Sequence, residues 1–171
     1  MDRSTPSPQL GFCSSDAEPE RVVVWAFRHW ICGHVETRSA HWSMVWRQLN
    51  ELCGSADGAR AAIALEGIVR AICRHADRPI LYHQPPCPCL GDDERQLIEL
   101  MAACQQHQWL NAARWARGFV GNDGAGDLIQ SAARLAGLLA EHGQLLPGNF
   151  SSRGDVSIAE TALAKPVGHL H

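Results

Sequence analysis

The sequence predicts an all-α protein: a single-domain bundle of five to six helices, with a Pro/Cys-rich irregular loop between the third and the fourth. Three observations lead there. Apolar residues recur at three-and-four spacing through successive segments of helical length. Glycine, proline and Asn-Asp punctuation separates those segments. No two alternating segments are joined by a hairpin signal. At 171 residues, 46% hydrophobic and 19% charged, the chain has single-domain size and can bury a core without metal or disulfide help.

Residues 1–17 are rich in Ser, Pro and Asp and carry few apolar anchors, which predicts a flexible N-terminal arm. The helical domain then spans residues 18–143. Pro19 suits the first turn of a helix, with Glu18 and Glu20 near its positive end. That helix runs to about Cys32, where Gly33 offers a stop. Val22, Val23, Val24, Trp25, Phe27, Trp30 and Ile31 make it apolar nearly all round, as expected of a helix central to the core.

Ser39 can cap a second helix over residues 40–53. Its buried face is Trp42, Val45, Trp46, Leu49, Leu52 and Cys53, and Gly54 ends it. A third helix over 58–76 carries Ala62, Leu65, Ile68, Val69 and Ile72. Gly67 inside it costs stability unless another helix approaches closely there. Pro79 stops this helix, and Ile80, Leu81 and Tyr82 are extended. Pro85, Pro86 and Pro88 predict a polyproline-like path.

A fourth helix starts at Gly91 or Asp92, with Asp92, Asp93 and Glu94 in its positive first turn. A break at 106–108 leads to a fifth, bearing Trp109, Leu110, Trp115 and Phe119. This pair has roughly tetratricopeptide length but lacks that signature's Gly and Tyr, so a plain antiparallel pair is expected. A sixth helix over 126–142 closes at Gly143. Residues 144–171 form an irregular C-terminal tail whose scattered apolar residues could wrap the surface.

Composition narrows the function. A net charge of −3 argues against holding nucleic acid through bulk charge. No run is long and apolar enough for a membrane span, and the first twenty residues lack the apolar core of an export signal. Seven cysteines, an odd number, then fit free thiols in a reducing cytoplasm.

Potential chemistry gathers at residues 73–94. Cys73, His75, His83, Cys87 and Cys89 are candidate zinc ligands, or thiols of a redox sensor. The spacing departs from a Cys-x-x-Cys knuckle, because Pro88 separates Cys87 from Cys89 and an extended path keeps their side chains apart. Packing of these residues as small core fillers is the competing expectation. His29, Cys32, His34 and His41 mark a second corner where a metal or haem could sit, against the commoner role of core histidines bonded to carbonyls.

The six tryptophans all fall at core-compatible helical positions. Trp115, flanked by Arg114 and Arg117, is the best placed of them for an exposed interface anchor. Signatures of α/β-hydrolases, nucleotide-binding loops and zinc proteases are absent, and Glu66 is the one helical carboxylate worth testing for acid/base work. No cofactor is expected, zinc being the alternative. The favoured function is non-enzymatic and regulatory: binding a protein partner, or a second copy of the chain, through an exposed apolar patch. A zinc-binding or thiol-based sensor is the alternative.

Overall fold

The computed structural model describes residues 18–148 and the backbone of Lys165 and Pro166. It is an all-α bundle. The described residues form α1 (Pro19–Glu36), α2 (Ser39–His75), α3 (Asp92–Gln105), α4 (Trp109–Val120) and α5 (Ala125–Glu141). The expected arm at 1–17 and most of the expected tail lie outside the described residues.

The predicted second and third helices are the two arms of α2. Gly54 breaks the helical path between them with φ 77° and ψ 164°. In a straight helix, residues eight apart lie about 12 Å from each other. Here a Cβ added to Gly58 would come 2.7 Å from the Asn50 Cα, so the arms meet at a sharp corner. The second arm carries the apolar stripe predicted for it, and Ala62, Leu65, Ile68, Val69 and Ile72 are all buried. It packs against α5, and a Cβ on Gly67 would come within 2.5 Å of Ser131 Oγ, the close approach that justifies this glycine.

The first helix does not stop at Gly33. It runs to Glu36 and ends where Thr37 turns left-handed, at φ 52°. Gly33 serves packing instead: a Cβ there would run into the Trp42 indole. α1 is the central helix its composition predicts, with every residue from Val22 to Gly33 buried. Each large apolar side chain sealed in this core, Phe27, Leu65 and Phe119 among them, contributes about 1.5–3 kcal/mol.

The link between α2 and α3 is extended at Leu81–Tyr82 as expected, but departs from the expected path after it and gains a strand partner. Residues 84–87 turn, with the Cys87 amide donating to the Gln84 carbonyl at 2.9 Å, where a polyproline stretch was expected. Leu81–Tyr82 (β1) pairs antiparallel with Lys165–Pro166 (β2), a two-residue bridge with no signature in the tail. Tyr82 is sealed in the core, which holds β1 in place.

Candidate functional site

A charge placed inside the buried stretch of a helix is carried into the interior. In the buried stretch Val22–Gly33 of α1 that charge is Arg28, only 3% exposed. A buried guanidinium needs a carboxylate and acceptors for its remaining N–H groups. The third residue of α3 supplies the carboxylate. Arg28 Nε donates to Glu94 Oε1 at 2.6 Å and Nη2 to Glu94 Oε2 at 2.8 Å. The other donors face the Pro/Cys loop: Nη1 reaches the carbonyls of Cys87 at 2.6 Å and Gln84 at 3.4 Å, and Nη2 that of Cys89 at 2.5 Å.

Glu94, with no exposed surface, is equally occupied. It accepts from the amides of His83 at 3.0 Å and Gly91 at 2.8 Å, and meets His83 Nδ1 at 3.1 Å. A carboxylate can only accept, so Nδ1 of His83 carries the proton. Burial alone would raise the Glu94 carboxyl, but the Arg28 guanidinium and the Gly91 and His83 amides outweigh it and hold it below its ordinary range. A second clamp lies beside the first. Arg78 grips Asp93 with two bonds of 2.9 and 2.5 Å, and Asp93 also accepts the Leu81 amide at 2.7 Å. Of the three acids expected to serve the α3 dipole, only Asp92 faces solvent; the other two face inward as arginine partners.

The five proposed ligands do not converge as one set. Cys73 is half-buried against the core, where burial and then Glu66 push its thiol up. His75 packs its ring and Cβ against Gly124; its Nε2 is buried without a hydrogen bond, 3.9 Å from Asp127. His83 belongs to Glu94. Cys87 and Cys89 do come together: the Cys89 amide donates to Cys87 Sγ at 3.4 Å. The Cys89 thiol is pushed up, first by its hydrogen bond with the Cys87 thiol. Both cysteines border a cavity of about 190 Å³ with Trp25, Arg28, Pro88 and Leu90. The turn at 84–87 and the Arg28 bonds to both carbonyls shape the loop, replacing the extended path that would have parted the two side chains. Among the described residues, no three His, Cys, Asp or Glu side chains group so as to hold a metal ion.

The histidine corner is a hydrogen-bonded core. His29 Nδ1 lies 2.8 Å from His41 Nδ1, and Trp30 Nε1 donates to Glu66 at 2.6 Å. His34 meets the same Glu66 oxygen at 2.9 Å, and Cys32 is buried. Burial, and then the charge of His41, lower the His29 pKa to about 4, so its ring is neutral.

No known family model, curated protein or solved structure matches this chain.

The tryptophans divide unevenly. Trp25 and Trp30 are buried, and Trp42 and Trp115 are partly covered by the core. Trp46 and Trp109 are 43% and 50% exposed, contrary to their expected place in it. Val45, Leu49 and Cys53 form the buried stripe of the first α2 arm, and Trp46 sits one step round from it. Trp115 is therefore not the exposed anchor of its helix. It lies under Arg114, whose guanidinium carbon is 5.1 Å from the ring centroid, and Arg117 stands exposed. The large apolar side chains of α4 that stand exposed are Trp109 and, at 89%, Leu110.

Proposed function

We propose that this protein is non-enzymatic and works by association, with a second copy of the chain as its partner and the α3–α4 corner as the contact. The observation that carries this is the exposure of two consecutive large apolar residues in the first turn of α4, Trp109 at 50% and Leu110 at 89%. Leu145, 67% exposed, lies on the segment that Gln105, at the end of α3, holds through Gln144 and Leu146. Gln106, Gln108 and Asn111 bond one another in a chain beside the pair, and the exposed His107 ring stands 5.6 Å from that of Trp109. A two-fold contact sets a patch against itself, and amides beside it add no like-charge repulsion. The non-enzymatic part is supported by Glu94 and Asp93, whose oxygens are all taken by guanidinium or amide donors. A photo-crosslinking residue at position 110 should give a covalent dimer joined at this corner; crosslinks scattered over the surface would count against it.

A second reading is a thiol-based sensor. The Cys89 amide–Cys87 sulfur contact favours it and narrows it from the whole 73–89 segment to these two cysteines.

A further inference from the structure

Cys87 and Cys89 stand on a loop with little freedom. Arg28 holds the carbonyls of both, at 2.6 and 2.5 Å, and the Cys87 amide is bonded to Gln84 at 2.9 Å. Pro86 and Pro88 fix φ beside each cysteine. The two thiols are hydrogen-bonded to each other, and both cysteines line one cavity whose other walls include Trp25 and Leu90 together with the charged Glu18, Glu20, Arg21 and Arg28. Cys89 is exposed, so the cavity is reached from solvent. The one imidazole on the loop, His83, is turned onto Glu94 at 3.1 Å and does not join them.

Donor number and softness decide what such a pair can hold. Zinc takes four ligands in a structural site and three with a water in a catalytic one. Calcium and magnesium require oxygen donors. Two thiolates alone are a complete set for a soft, closed-shell ion content with linear coordination, and Cu(I) is the first-row metal ion of that kind. We propose that Cys87 and Cys89 form a two-sulfur site for one Cu(I) ion, a step that rests on the thiol reading above. Binding forms two S–Cu bonds, releases two thiol protons and leaves the metal's oxidation state unchanged. The Cys89 amide, already donating to Cys87 Sγ at 3.4 Å, stays in place to offset the negative charge of the bis-thiolate.

The test is an anaerobic Cu(I) titration against a colorimetric Cu(I) chelator. The full chain is compared with Cys87→Ser, Cys89→Ser and a Cys13→Ser/Cys73→Ser control that leaves the pair intact. The full chain and the control should each take one Cu(I) from the chelator, and both single variants should lose it while keeping the helical circular dichroism. Retention by either single variant, or no uptake by the full chain, overturns the site. Alkylation of the same samples, read by peptide mass spectrometry, separates the two levels. Cys87 and Cys89 should label freely without Cu(I) and be protected with it. Labelling without protection removes the copper site and leaves the thiol reading standing; no labelling removes both.

Discussion

Arg28 and Glu94, 66 positions apart, form a two-bonded ion pair with 4% and 0% of their side chains exposed. The same guanidinium holds three carbonyls of the Gln84–Cys89 segment. One side chain on the central helix thereby locks the start of α3 and the cysteine loop together. Removing either partner leaves the other charge buried and alone, which costs about 3–5 kcal/mol. Arg28→Met and Glu94→Gln should each lose about that much in urea denaturation. The double variant should lose less than their sum, by a coupling of about 0.5–3 kcal/mol. Strict additivity would mean that the pair is not a unit.

Stability should fall on acidification in two adjoining steps. His29 has a folded pKa of about 4, lowered from 6.5 by burial and then by His41. Between those values the unfolded chain takes up a proton that the folded chain refuses. Stability is therefore full above pH 6.5 and declines toward pH 4, by up to about 3 kcal/mol. Glu94 acts lower down. Its folded pKa is depressed, so its contribution is present above the ordinary 4.5 and lost as pH falls through the folded value. His29→Gln should flatten the upper step and leave the lower one. An unchanged profile between pH 4 and 6.5 in that variant would refute the assignment.

Two glycines should fail for different reasons when changed to alanine. Gly54 has open space around its Cβ position, but φ 77° with ψ 164° is a region other residues scarcely enter. Gly54→Ala should cost about 1–3 kcal/mol through backbone strain alone. Gly33 is ordinary helix, and alanine there meets the Trp42 ring. Gly33→Ala should therefore be rescued in part by Trp42→Leu, whereas Gly54→Ala should not. Thermal melts of the four variants check both statements.

Periodicity made the helices legible, because each arm must bury one stripe. The stripe Ala62–Leu65–Val69–Ile72, the break at Gly54 and the close approach at Gly67 could all be read from spacing and glycine chemistry. The site was harder. Arg28 among Val, Trp and Phe was the available signal, since a charge inside an all-apolar helix must have a partner. Its partner, Glu94, resembled an ordinary first-turn acid, and nothing local links residues 66 apart. The loop was misread because three prolines suggest extension, while the carbonyls they precede or follow are drawn onto one guanidinium. The exposure of Trp109 was hidden for the opposite reason. Trp109 fits the spacing of the covered face Ala112, Ala116, Phe119 and Val120 yet is half exposed, whereas Leu110 lies four and seven residues before the exposed Arg114 and Arg117, on the solvent side.

Leu110 is almost wholly exposed, so Leu110→Glu should alter folding stability by less than about 0.5 kcal/mol. That makes it a clean probe of association. Sedimentation velocity over a concentration series, run on the unmodified protein and on Leu110→Glu, tests the central proposal most directly. The account predicts a concentration-dependent dimer for the first and a monomer throughout for the second. A monomer at every concentration, or a dimer indifferent to Leu110→Glu, would contradict it.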